Sequence, residues 1–410
     1  LTLAVPTPNP VNGLLTPEAV RERCNDLFRI GLDGGLPWFQ VDIANLHNPT
    51  SRVVGEIESN YPTLEIPLHS RWRHFELGGT DLWEDLSMSF GLSGDRLAIA
   101  AGDLAVVSVL LDAGAGPDWV YADDSTGLKI GRSEGLALAS LRLFESGMLS
   151  DYGDDPLRAD AAALTKISAR MLADAFQVTG TNPLVGLQQR AGLLQKLGYA
   201  IEKHSSFYAR DNEIRPGNLI LKLAARPNLE ARDILVAVLG SLMDIWPSPV
   251  RIAGNALGDV GHHRALSRED ETDCIVPFHK LSQWLSYSLV EPLEQMEATV
   301  SNLDGLTGLA EYRNGGLFID TGVLRLKDES LLSVAHKPES ELIVEWRALT
   351  VALLDLLAEE VRKSLNLDIG GLTLGHILQG GTWSAGRKIA WELRSDGSPP
   401  IRLDSDATVF

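Results

Sequence analysis

Apolar residues recur at three-to-four spacing along much of the chain, and that period predicts a mostly α-helical protein. Segment 341–364, ELIVEWRALTVALLDLLAEEVRKS, is apolar around most of its circumference and is expected to be the central buried helix. Segment 97–111 is almost uncharged and predicts a second buried helix, ending in the breaker-rich DAGAGPDWVY. Helices are also predicted over 45–60, 133–149, 160–177, 183–199, 230–245 and 277–296. Thr16-Pro17-Glu18 sets a capping threonine before a proline at the first helical position, so another helix starts there and stops near Gly34-Gly35. The proline-bearing residues 1–15 read as an extended lead-in. Residues 66–86 fit neither helical nor strand period and read as a loop with helical pieces. A few short strands are predicted, at 316–320 and 400–403. No internal repeat or obvious linker interrupts the pattern. A single compact unit over 1–410 is therefore expected, with lobes 1–150 and 151–410 as its subdivision.

Composition narrows the class. The 410 residues are 44% hydrophobic and 6% aromatic, which suits a soluble protein with a full core. No run of about 18 uncharged apolar residues is present, so no transmembrane helix is expected. The N-terminal stretch lacks a basic segment followed by an apolar block, so no signal peptide is expected, and with only two cysteines the chain fits a reducing compartment, so a cytoplasmic location is expected. A net charge of −19 repels nucleic acid and anionic membrane, so neither is expected as a partner. A small-molecule substrate stays open, because a pocket can carry its own basic residues. Cys24 and Cys274 are the only cysteines, which excludes a disulfide framework. No Walker or dinucleotide glycine loop is present, and no cofactor is expected. His262, His263, Cys274 and His279 leave zinc as the rival chemistry, although His-Glu-x-x-His and Cys-x-x-Cys are both absent.

Several long motifs occur together. They are LPWFQVD at 36–42, HSRWRHFELGG at 69–79, LLDAGAGPDWVY at 110–121 and RSEGLALASLRLF at 132–144. PFHKLSQWLSYSLVEPLE, LDGLTGLAEYRNGGLFIDTGVL, VEWRALTVALLD and GGTWSAGRKIA follow. Over nearly its whole length the chain resembles the uracil catabolism protein four family, long described as a domain of unknown function. That resemblance implies a place in a uracil-degrading route that passes through a ribosylated urea. More distantly, the order of motifs resembles the queuosine salvage family, which hydrolyses the N-glycosidic bond of queuosine 5′-phosphate. This implies a helical fold similar to helix-hairpin-helix glycosylases. On that likeness Trp119, Lys280, Gln283 and Asp304 match family positions. Glu311-Tyr312-Arg313 stands where that family has Asp-Tyr-Arg, and Glu345-Trp346-Arg347 matches its last helix. The family's candidate catalytic aspartate is therefore a glutamate here, one methylene longer.

The residues themselves fit such chemistry. Hydrolysis of an N-glycoside builds positive charge on the sugar ring, and a carboxylate beside the anomeric carbon stabilises it and activates water. Glu311 is the candidate, with an ion pair to Arg313 or Arg347 as the plain structural alternative. Lys280, Gln283, Tyr287, Glu291 and Glu294 share one helix face. Lys280 there could hold a phosphate or ribose oxygen, or simply face solvent. His69, Arg71, Arg73 and His74 could bind an anion, with His74 preferred to His69 as the acid, or could fix a loop. Asp112 and Trp119 lie on a glycine-rich turn, where the indole could stack on a planar ligand or fill core. Trp383 and Arg387 follow Gly380-Gly381 and could close a pocket. Glu345 points along a packed stripe and needs a partner, for which Arg313 is the first expectation. The expected activity is cleavage of a ribosylurea or its 5′-phosphate to urea and ribose or ribose phosphate. Glu311 and His74 would be catalytic, and Lys280, Gln283, Tyr312, Arg313, Asp304, Trp119, Asp112, Arg73, Trp383 and Arg387 would hold the substrate. A metal-dependent amidohydrolase and a non-catalytic partner of the pathway are the rival readings.

Overall fold

The computed structural model describes residues 10–248, 250–252 and 254–404. Residues 1–9 of the expected lead-in lie outside the described residues. The fold is mostly helical, and the described strands are short and form only two-stranded sheets. No helix among the described residues is long and apolar enough to cross a membrane.

Contacts divide the chain into two units, each discontinuous in sequence. The first comprises, among the described residues, 10–69, 248, 250–252, 254–283 and 302–404. Its longest helix is Glu341–Leu365, and the central stretch from Leu342 to Leu354 is buried throughout. It packs against the helices Pro17–Leu32, His47–Asn60 and Tyr312–Asp320. The Thr16 hydroxyl accepts from Ala19 N at 3.2 Å, so the capping threonine acts as its sequence implies. Antiparallel pairs join Phe39–Val41 to Leu324–Leu326 and Val260–His262 to Ile275–Pro277. The predicted strand near 400 is present as Arg402–Leu403, parallel to Ala335–His336. The predicted strand at 316–320 is instead the second half of the helix Tyr312–Asp320, because Glu311 caps that helix three residues upstream of Asn314. Pro277 does not start a helix either. It ends the strand Ile275–Pro277, and His279 at φ +49° turns the chain into the helix Lys280–Glu294.

A π-helical turn, Leu378–Thr382, leads into the helix Trp383–Leu393, which crosses Tyr312–Asp320 at Gly386. A Cβ at Gly386 would lie 2.3 Å from the Arg313 carbonyl oxygen, which is backbone and cannot yield. Gly386→Ala is therefore expected to destabilise the protein by about 2 kcal/mol despite alanine's better helix propensity, read as a lower denaturant midpoint. An unchanged midpoint would show that the two helices can part.

The second unit comprises, among the described residues, Ser70–Pro247 and Trp284–Ser301. Its core helix, Gly94–Leu110, is buried from Ala98 onward. The helices Arg132–Glu145, Leu187–Lys203 and Asn218–Ala224 pack on it. Asp103, fully buried, accepts from Ala159 N, Gly217 N and Arg215 Nε at 3.0, 2.6 and 2.7 Å. The continuous helix expected over 160–177 is broken into Ala161–Leu164 and Ala169–Ala175. Ser168 is the cause: its backbone is extended and its hydroxyl accepts from Met171 N, which starts a new helix. Residues 66–86 hold the expected helical pieces, a 3₁₀ turn Arg71–His74 and the helix Leu82–Ser89.

Candidate functional site

Buried Leu306, Leu309 and Ala310 carry the chain of the first unit into Glu311. Glu311 has extended backbone and sits at the N-cap of Tyr312–Asp320. One carboxylate oxygen accepts from Arg313 N at 2.7 Å and the other from Asn314 N at 2.6 Å. Both bonds, the positive end of the helix, and the charges of Lys280 and Arg313 favour the ionised form. Burial opposes them and prevails, so the Glu311 carboxyl titrates above the ordinary glutamate value. Neither ion pair offered as the alternative role of Glu311 is the arrangement seen. The Arg313 guanidinium donates to Gly397 O at 2.8 Å and lies 5.1 Å from the Tyr312 ring centroid. Arg347 clamps Asp259 with two hydrogen bonds.

Lys280 begins the helix Lys280–Glu294, and its backbone N–H donates to Asp259 Oδ2 at 3.0 Å. Its charge acts on two buried groups of the same unit, Glu311 and His69. The His69 ring is held by Gln379 Oε1 at 3.0 Å from Nδ1. Burial, with Lys280 adding to it, pushes the His69 pKa below the ordinary value. The unfolded chain, where the histidine titrates near 6.5, therefore takes up this proton first. The fold loses stability as pH falls through that window and keeps all of it above. His69→Gln should flatten the decline of the denaturant midpoint between about pH 7 and 5.5. A variant that declines as steeply as wild type would rule this contribution out.

Other sequence candidates in the first unit have visible structural partners. The buried Gln283 amide donates to Thr307 Oγ1 at 2.6 Å and accepts from Thr307 N at 3.2 Å, anchoring the loop before Glu311. Asp304 pairs with Arg362 and accepts from Leu374 N at 2.6 Å. Arg387 lies 5.2 Å from the Trp383 ring on the helix that crosses Glu311's own helix. Glu345 is not partnered by Arg313. It accepts from Phe39 N, Trp38 N and His263 Nε2 at 2.7, 3.1 and 2.8 Å. Among the described residues, no group of three His, Cys, Asp or Glu side chains is placed to hold a metal. His263 faces Glu345, and His279 Nε2 is bonded to Leu14 O.

The remaining candidates belong to the second unit. Trp119 is core: its indole N–H donates to Phe176 O at 2.9 Å and its ring stacks on Phe176. Asp112 pairs at 2.6 Å with Arg71, whose Nε donates to Ser108 Oγ at the same length. Arg73 pairs with Glu76 and Glu291. His74 meets the Trp284 ring edge-on at 5.7 Å.

In the first unit Glu311, Tyr312 and Arg313 are consecutive at the start of one helix, the charge of Lys280 acts on Glu311, and Trp383 and Arg387 lie on the helix that crosses theirs. Sequence reasoning missed Asp259, which sits in a loop without apolar period.

Residues 13–410 match the family described as protein of unknown function, DUF1688. The chain is 38% identical over 407 residues to Protein urg3 of Schizosaccharomyces pombe, covering 97% of this chain and 98% of that protein. It is 36% identical over 440 residues to Uracil catabolism protein 4 of Lachancea kluyveri, covering 98% and 99%.

Proposed function

The chain belongs to the DUF1688 family, and from that premise we propose that it is an N-glycoside hydrolase of uracil catabolism. The pathway rests on the name of the Lachancea kluyveri relative. The reaction rests on one observation: a buried carboxyl that caps a helix start, which burial pushes above the ordinary range while the charge of Lys280 favours its ionised form.

The substrate is a ribosylurea or its 5′-phosphate. Water attacks the anomeric carbon, the C1–O bond forms and the C1–N bond breaks. Ionised Glu311 takes one proton of that water, solvent delivers a proton to the departing nitrogen so that urea leaves neutral, and protonated Glu311 then returns its proton to solvent. A carboxyl with a raised pKa is a stronger base once ionised, which suits this role near neutral pH. Lys280 holds a phosphate or hydroxyl oxygen, and Tyr312, Arg313, Trp383 and Arg387 wall the ligand. No cofactor is needed for this hydrolysis. Purified protein should release urea from ribosylurea or from ribosylurea 5′-phosphate, followed by a urea assay. Release from neither compound overturns the reading.

A further inference from the structure

One charge pair of the first unit has so far had no part in the reaction. Asp259 and Arg347 are 7% and 3% exposed. The guanidinium meets the carboxylate with both terminal nitrogens, at 2.8 and 2.7 Å. Burial pushes the Asp259 carboxyl up, but the charge and hydrogen bonds of Arg347, the Lys280 N–H and the nearby His279 together hold it below the ordinary aspartate range, so the pair is ionic.

Each partner also reaches a segment that carries a proposed functional group. Asp259 Oδ2 accepts the Lys280 N–H at 3.0 Å, and its carbonyl accepts from Phe278 N and His279 N at 3.0 and 3.1 Å. One residue therefore holds three successive N–H groups at the turn into the Lys280 helix. Arg347 Nε donates at 3.3 Å to the carbonyl of Ala310, the residue before Glu311. Its guanidinium lies 4.0 Å from the Phe278 ring centroid. A planar two-pronged pair thus touches the chain at 280 on one side and at 310 on the other. Buried pairs of this kind are weak sources of stability, and their rigid geometry makes them good spacers.

We propose that the Asp259–Arg347 pair is a positioning device that sets Lys280 against Glu311. This rests on the reading that those two groups serve one ligand. Neither Asp259 nor Arg347 touches the substrate, and both act through the segments they hold.

The test compares wild type with Asp259→Asn, Arg347→Lys, Lys280→Met and the double variant Asp259→Asn/Lys280→Met. The first readout is the Glu311 titration midpoint, followed by NMR of carbon-13-labelled glutamate side chains and assigned with Glu311→Gln. The charged groups that act on Glu311 are Lys280 and, on Glu311's own helix, Arg313. Removing the negative charge of Asp259 lowers the Glu311 midpoint if charge alone matters. Loss of Lys280 placement raises it, so the two explanations differ in sign. The expected result is an upward shift in Asp259→Asn that vanishes in the Lys280→Met background. Catalytically, kcat should fall roughly 10- to 100-fold with KM little changed. The double variant should be no slower than Lys280→Met alone. Arg347→Lys keeps the charge and loses the fork, and should fall between wild type and Asp259→Asn. It also serves if Asp259→Asn fails to fold. A downward shift, or additive losses in the double variant, overturns the proposal. If wild type releases no urea, the functional reading fails, and the titration still decides the positioning role.

Discussion

Glu311→Gln is expected to lower the rate of urea release by roughly 10²- to 10⁴-fold, the range for losing a general base. The substitution is close to isosteric and keeps a carbonyl oxygen to accept one of the two cap hydrogen bonds from Arg313 N and Asn314 N. It loses the second acceptor and the charge, so stability should drop by only about 0.5–1.5 kcal/mol. A large kinetic loss with a small change in unfolding midpoint separates a chemical role from the capping role seen in the structure. The raised Glu311 pKa adds a second expectation. The acid limb of wild-type kcat/KM should lie above that of an ordinary glutamate and be absent from the residual rate of the variant. Equal rates for wild type and Glu311→Gln would leave Glu311 as a helix cap and no more.

The largest expected loss of stability is at Glu345. Its carboxylate is fully buried and serves three donors, the N–H groups of Trp38 and Phe39 and the Nε2–H of His263. The tautomer follows from the other ring nitrogen, because His263 Nδ1 accepts from Ala265 N at 3.2 Å. Glu345→Ala strands all three donors in the packed interior and leaves a cavity beside the long central helix. Breaking a buried charged network in this way costs about 3–5 kcal/mol. Glu345→Gln should be milder, since it retains one oxygen for the two backbone donors. Denaturant unfolding of both variants checks the order, and a loss below about 1 kcal/mol for alanine would show that water replaces the carboxylate.

Helix positions were legible where the signal is local. The cap at Thr16 and the almost uncharged run that became Gly94–Leu110 are written in adjacent residues. So is the apolar helix Glu341–Leu365. The misreading at 316–320 arose because the short apolar pattern GLFID suits either a strand or a helix over so few residues. The cap at Glu311, together with the close crossing at Gly386, favours the helix. The candidate site was legible only as a list of residue types. Glu311 and Lys280 stood out from their neighbours, but a polar residue near them could equally be a ligand contact or a structural tie. Gln283 and Asp304 have ties that the primary structure does not display, to Thr307 and to Arg362.

The order of residues by itself determined that this chain is mostly helical, which stretches are buried, and that one short segment joins a carboxylate to glycines and an arginine. Those properties depend on spacing within a few turns, and a periodic pattern carries them completely. Only the tertiary structure decided which charges meet. Arg347 finds Asp259 across 88 positions, and Glu345 finds His263 across 82. In both cases two elements distant in sequence must pack before a buried charge has a partner. The energy of a charge in the interior depends on that packing, and local sequence does not encode it.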